Sequence, residues 1–137
     1  MNTPCPDAYY DTVFLLEGAP SPLPEVFTIV TAWNPMDRAC SAEQNQVSDT
    51  RLQQALQTID SKTFRAIGCS PDFAHREPGW AIQCPFEQAL ELARRFDQRA
   101  FWWIENNRLN LVSCLDPEPE FVAAFSHRVV SHPNRHR

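Results

Sequence analysis

Asp72, His75 and Glu77 stand within six positions of one another. A histidine between two carboxylates suits proton transfer, because imidazole changes charge near neutral pH without help from its surroundings. His75 and Glu77 are therefore the candidate catalytic residues, set against a plainer reading as an exposed loop histidine among solvated carboxylates. The same three side chains are metal-ligand types, but their spacing matches no metal-binding pattern, and no metal and no cofactor is expected. Cys40 and Cys69 offer a second chemistry, nucleophilic attack assisted by His75. It requires a cation or a helix N-terminus to lower the thiol pKa; otherwise a cysteine is a small buried hydrophobe. A third set is polar and non-nucleophilic: Asn34, Arg38, Ser41, Asn45, Glu77 and Gln98. Ser41 would open a helix whose free N–H groups attract anions, with Arg38 just before it, while Asn34, Glu77 and Gln98 would add directional hydrogen bonds. Ser41 also reads as a simple helix cap, and Asn34 as a residue bracing its own turn. No glycine-rich loop is present to cradle a phosphate.

The elements that must position these groups follow from local patterning. Val13 to Leu16 and Val26 to Trp33 are rich in β-branched and aromatic residues and predict strands, separated by the breaker-rich segment Gly18 to Pro24. A hairpin between the two is the natural expectation. Ser41 and Gln44 make a capping box for a helix over 42–59, with Val47, Leu52, Ala55, Leu56 and Ile59 as its apolar stripe. Strands are expected over 63–69 and 80–84, with 70–79 as a loop between them. Pro85 begins a second helix, carrying Phe86, Ala89, Leu90 and Ala93 at helical spacing. Two further strands, 100–105 and 109–115, flank Asn106-Asn107, which tolerates the positive φ of a tight hairpin. Asp116-Pro117 predicts a last helix with Phe121, Ala124, Phe125 and Val129 on its apolar face, its acidic start and basic end matching the helix dipole.

The core order strand, helix, strand, strand, helix, strand predicts an α+β fold of the ferredoxin-like, split-βαβ kind. It would place two helices on one face of an antiparallel sheet, with an extra N-terminal strand, a C-terminal hairpin strand and a final helix. In that topology three connections share one end of the sheet: 34–41, 70–79 and 97–99. Loops gathered at one end of a rigid scaffold are where binding sites are usually built. Within Phe101 to Ile104, alternate side chains face opposite sides, so either Trp102 or Trp103 must leave the helix face. Something must cover it, whether the final helix or a partner.

Several of these residues also carry a resemblance. Thr31-Ala32-Trp33-Asn34-Pro35, then Ser41 and Asn45, then Glu77-Pro78, then Phe96-Asp97-Gln98-Arg99-Ala100, together resemble the bacterial family catalogued as domain of unknown function 3293, over about Val26 to Leu111. The resemblance implies no activity. It does imply a choice of residues, since Asn34, Ser41, Asn45, Glu77 and Gln98 fall on or beside the three shared connections. The segment 116–137 departs from the family pattern.

Composition narrows the partners. A length of 137 residues with 43% hydrophobic content fits one domain (1–130) with its own core, followed by a short basic tail, 131–137. The formal net charge of -5 argues against coating nucleic acid or an anionic membrane, both of which need clustered cations. Five cysteines without metal-site spacing, no visible secretory segment and no membrane-length apolar run point to reduced thiols and a cytoplasmic location. The expected function is a domain that binds a small polar ligand or nucleotide at the 34–41, 70–79 and 97–99 end, with catalysis there as an option. The alternative is a protein-interaction module or small inhibitor acting by binding another protein; either a monomer or a homodimer is compatible with the sequence.

Overall fold

The β-branched and aromatic runs extend as their composition dictates, and they assemble into one antiparallel sheet of seven strands. The computed structural model describes residues 5–59 and 62–130. Along the chain lie α1 (Asp7–Tyr10), β1 (Val13–Glu17), β2 (Val26–Thr31), α2 (Ala42–Gln57), β3 (Phe64–Cys69), β4 (Arg76–Ile82), α3 (Phe86–Arg95), β5 (Ala100–Glu105), β6 (Arg108–Ser113) and β7 (Glu120–Ala124). Strand order across the sheet is β1-β3-β4-β2-β5-β6-β7.

Each face of the sheet is apolar, for different reasons. On one face, α2 and α3 bury Leu52, Leu56, Ala89, Leu92 and Ala93 against Val30, Ile82, Phe101 and Trp103. The helix α2 begins with the expected capping box, Ser41 Oγ accepting from the Gln44 N–H at 3.1 Å and the Gln44 side chain accepting from the Ser41 N–H at 3.0 Å. It is anchored by a buried charge: Asp49 receives both guanidinium nitrogens of Arg65 at 2.9 and 2.7 Å and the Trp80 indole N–H at 3.1 Å. With Asp49 only 4% exposed, that full set of partners is what makes an ionised carboxylate tolerable there.

The other face carries Phe14, Phe27, Ile29, Phe64, Ile104, Leu109 and Phe125, and no helix of the α2–α3 layer reaches it. The sheet buries this face by curling on itself. Phe125 packs on Phe14 and Phe27 with ring centroids 5.6 and 5.5 Å apart, and Phe14 meets Trp102 edge-on at 5.3 Å. The two ends of the strand order are thereby drawn together. Phe14 pairs with Val129 in a parallel bridge, its N–H donating to the Arg128 carbonyl at 2.7 Å and its carbonyl accepting from the Val130 N–H at 2.9 Å. The Arg128 guanidinium adds bonds to the Tyr10 and Thr12 carbonyls at 2.9 and 3.0 Å.

This curled half-barrel replaces the expected ferredoxin-like sandwich. A two-helix sandwich leaves one sheet face open, whereas here seven strands wrap that face into a second core. The expected final helix is instead β7 and a short turn at Phe125–His127. Pairing β7 with the free edge of β6 satisfies backbone groups that a helix would leave unpaired on the neighbouring strand. The expected β1–β2 hairpin does not form either; β1 pairs with β3. Strand β4 begins at Arg76, so only 70–75 turns, and Glu77 stands on a strand rather than in a loop. Val47, assigned to the stripe of α2, is 54% exposed. Asn106 and Asn107 do both take positive φ, 52° and 65°, at the β5–β6 turn. The basic tail 131–137 lies outside the described residues, among which no helix is long and apolar enough to cross a membrane.

Closure through aromatic packing makes a direct prediction. Phe125→Ala should lower unfolding free energy by about 3–5 kcal/mol in urea titration, as for other fully buried phenylalanines. Phe121→Ala, at an exposed position of the preceding strand, should cost no more than about 0.5 kcal/mol. Equal effects at the two positions would show that curling contributes nothing to stability.

Candidate functional site

Where the concave face meets the end of the sheet, its side chains are small. Ala66 and Gly68 on β3, Gly79 on β4 and Ala100 on β5 leave room beside Ile29, Thr31 and Trp102, and a cavity of about 190 Å³ results. Gly79 is required by close approach: a Cβ there would lie 2.9 Å from the Val30 carbonyl oxygen and 3.2 Å from that of Ala66. The short helix α1 covers the cavity, contributing Ala8 and Tyr9 to the lining, and Ser70, His75, Glu77 and Gln98 add polar groups to its wall.

The polar wall is organised by Asn34. It adopts the left-handed conformation, φ 45° and ψ 66°, which asparagine tolerates better than most residues. Its Oδ1 accepts from the Cys40 N–H and from the Asn45 side chain, both at 3.0 Å. Its own N–H donates to Asn45 Oδ1 at 2.9 Å, and its Nδ2 donates to Glu77 Oε2 at 3.0 Å. These partners settle which amide atom is which, because a backbone N–H can only donate: Oδ1 must face Cys40, so Nδ2 must face the carboxylate. Gln98, 6% exposed, donates its Nε2 to the Trp33 and Phe96 carbonyls, each at 3.2 Å. The connection before α2 and the one before β5 are joined directly by the Met36 N–H donating to the Asp97 carbonyl at 2.8 Å.

Three of the predicted residues thus meet, Asn34, Asn45 and Glu77, in one hydrogen-bonded chain. Of these Glu77 lines the cavity, whose wall Gln98 shares, while Asn34 and Asn45 stand behind it. Ser41 and Arg38 do not join them. Ser41 serves as the cap of α2, and the Arg38 side chain is exposed. The Asp72, His75 and Glu77 trio also separates. Asp72 braces its turn, accepting from Ser70 Oγ at 2.7 Å and the Ala74 N–H at 3.0 Å. Those bonds lower its pKa. His75 joins that turn through its backbone, its N–H donating to Ser70 Oγ at 3.0 Å, while its imidazole is exposed at the cavity mouth. Cys69 also lines the cavity, but burial raises its pKa, the opposite of what an activated thiol requires. Of Trp102 and Trp103, it is Trp102 that leaves the helix face, and Phe14 and Tyr9 of the chain itself pack against it.

Glu77 differs from its neighbours. Desolvation pushes its carboxyl above the ordinary glutamate range, the Asn34 bond opposes that shift, and the charge of Asp37 adds to it. Among the described residues it forms no ion pair and receives one hydrogen bond. Asp37, by contrast, is fully engaged, ion-paired with Arg99 and accepting from the Tyr9 hydroxyl at 2.6 Å. Burial and that bond raise the Tyr9 pKa.

Tyr9, Thr31, Asp37 and Arg99 were not among the expected site residues, although Thr31 and Arg99 stand in the motifs that carry the family resemblance. Tyr9 precedes β1 by a few positions with no motif around it, and its place over the cavity depends on β1 pairing with β3. Asp37 did carry a local sign, the proximity of Asn34-Pro35. Asn34, Met36 and Asp37 take φ of 45°, 51° and 64°, and Asp97 takes 56°. Each such non-glycine residue costs about 1–3 kcal/mol and persists only where its surroundings hold it.

The family model described as "Protein of unknown function (DUF3293)" matches residues 30–101, more than half of the chain, and that span includes Asn34, Asn45, Glu77 and Gln98. Among curated proteins and solved structures, none matches the chain.

The raised carboxyl of Glu77 fixes the sign of a pH effect. The folded state holds this proton more tightly than the unfolded state, so stability is greatest below the ordinary glutamate pKa and falls as pH rises through the raised folded value. Glu77→Gln should remove that slope. Urea titrations from about pH 4 to about pH 8 should show the variant gaining stability relative to the wild type as pH rises. Parallel curves would mean that Glu77 is solvated in the fold.

Proposed function

We propose that this chain, which belongs to the DUF3293 family, is a small-molecule-binding domain whose ligand seats an apolar body inside the curled sheet and one hydrogen-bonding group on Glu77. The observation that carries this reading is a carboxylate, desolvated and without an ion-pair partner among the described residues, lining an otherwise mostly apolar cavity. Sites of this kind combine an apolar enclosure with a few fixed polar groups, and perturbed carboxylates concentrate in them. Volume limits the ligand. An engineered cavity of about 150 Å³ holds benzene, so 190 Å³ suits a singly substituted ring or an aliphatic group of similar bulk. A whole nucleotide exceeds it. Catalysis at this site would run through Glu77 as general acid or base, since burial raises its proton affinity above that of an ordinary glutamate. The interaction-module alternative drew in part on aromatic residues offered by the sheet to a partner, and the packing of Phe14 and Tyr9 against half-buried Trp102 counts against that part of it.

The reading is tested by NMR titration with two ring-sized probes, benzylamine and benzyl alcohol. At least one should shift the amides of Ala66, Gly68, Gly79 and Ala100 together. Gly68→Val should weaken that binding by about tenfold or more while leaving the fold intact. The glycine takes no positive φ, and an added Cβ meets only ordinary contacts, Thr12 Cγ2 at 3.5 Å being the nearest. If neither probe perturbs this group of amides, the binding reading is wrong.

A further inference from the structure

We infer that the occupant of the cavity is a small organic cation, a primary ammonium or amidinium group on an apolar body of about one ring. This inference deepens the binding reading and rests on it. It follows from counting which hydrogen-bonding valences of the wall are already used. Asn34 Nδ2 is committed to Glu77. The Thr31 hydroxyl donates to the Pro78 carbonyl at 2.7 Å and accepts from the Trp33 N–H at 3.1 Å. The Ser70 hydroxyl donates to Asp72, the Tyr9 hydroxyl donates to Asp37, and Gln98 Nε2 donates to two carbonyls. The donors of the inner wall are therefore spent. Among the described residues, and apart from the His75 imidazole at the mouth, what remains are acceptors, the second carboxylate oxygen of Glu77 and Oε1 of Gln98. A wall of this kind recognises a donor and repels an anion.

Charge sharpens the assignment from donor to cation. Among the described residues, the ion pairs are Arg65 with Asp49 and Arg99 with Asp37, so neither guanidinium is held by Glu77. The titratable groups that act on Glu77 are Asp37, which is ion-paired with Arg99 but still opposes ionisation of Glu77, and His75, exposed at the mouth, which favours it. Among the described residues, ionised Glu77 thus lacks the ion-pair partner that a desolvated carboxylate ordinarily has. An ammonium head would supply it and restore a charge-assisted hydrogen bond. The lining also offers Tyr9, Phe14, Phe101 and Trp102, and aromatic faces attract cations.

Three near-isosteric probes separate the possibilities on the full chain at neutral pH: benzylamine as cation, benzyl alcohol as neutral donor and benzoate as anion. By isothermal titration calorimetry, benzylammonium should bind at least about tenfold more tightly than benzyl alcohol, and benzoate should not bind. Glu77→Gln should erase the difference between cation and alcohol. Should that variant not fold, the wild-type ranking decides alone. Equal or tighter binding of benzyl alcohol overturns the cation assignment while leaving the binding reading standing, and so does a cation preference that survives Glu77→Gln. Preferential binding of benzoate would overturn it too, and would place a protonated His75 in control of the mouth. Silence from all three probes would remove both readings.

Discussion

The reciprocal pair Asn34–Asn45 is the constraint on which the candidate site depends. Each amide satisfies the other: the Asn34 N–H donates to Asn45 Oδ1, and Asn45 Nδ2 donates to Asn34 Oδ1. The pair ties the end of β2 to the first turn of α2, and the remaining Asn34 nitrogen reaches across to β4 and holds Glu77. No other residue type meets all of these demands. Aspartate would set a second carboxylate against Glu77 and could not donate to it. Glycine would accept the left-handed backbone but make no bonds. Glutamine has the amide, yet its extra methylene shifts both atoms away from partners fixed by backbone. The 3% exposure of Asn45 makes the arrangement costly to break, because a buried amide left unpaired loses about 1–3 kcal/mol.

This polar knot would hold nothing without the curvature beneath it. A sheet apolar on both faces must bury both, and two helices cover only one. The second face closes on itself through Phe14, Phe27 and Phe125, which draws the N-terminal and C-terminal ends of the strand order into a bridge at Phe14 and Val129. Large aromatics fill the curl near its middle, and small residues line it toward the Glu77 end. The cavity is therefore a consequence of how side-chain size is distributed along β3, β4 and β5. Closure also brings α1 over the opening, where Tyr9 joins Asp37 and Arg99 at the rim.

Local chemistry was legible wherever a residue's partners lie close in sequence. The capping box at Ser41 and Gln44, the positive φ at Asn106 and Asn107, and the strand character of 13–16, 26–31 and 64–69 all follow from neighbours within a few positions. Convergence of Asn34, Glu77 and Gln98 was legible from the order of the elements, since three connections at one sheet end must approach one another. Residues 116–130 were misread because Phe121, Ala124 and Phe125 have spacings compatible with a helix. What decides their state is the unpaired edge of β6, which no local pattern records. The closure of the sheet was illegible for the same reason, being a contact between residues more than a hundred positions apart. The role of Tyr9 exists only once β1 pairs with β3, and that of Arg99, although it stands in the 96–100 motif, only once Asp37 is brought beside it.

Departures from ordinary structural rules are concentrated at one end of the molecule. Asn34, Met36, Asp37, Phe73 and Asp97 take positive φ on the connections there. The Trp33 indole N–H is buried without a partner among the described residues, in the residue whose carbonyl accepts from Gln98. Glu77 is desolvated with one hydrogen bond. Away from this end, buried polar groups are provided for. Asp49 has Arg65 and Trp80, and Asn110 donates to the Trp103 and Arg108 carbonyls. The one other pair of positive-φ asparagines, at 106 and 107, sits in a turn that demands it. A chain selected only for stability has no reason to gather strain, an orphaned donor and a lone carboxylate in one place. Each of these raises the free energy of the fold, and under the proposed function a ligand that relieves the charge on Glu77 would recover part of it. On that proposal, the features that lower stability at this end are the ones that would make the site selective.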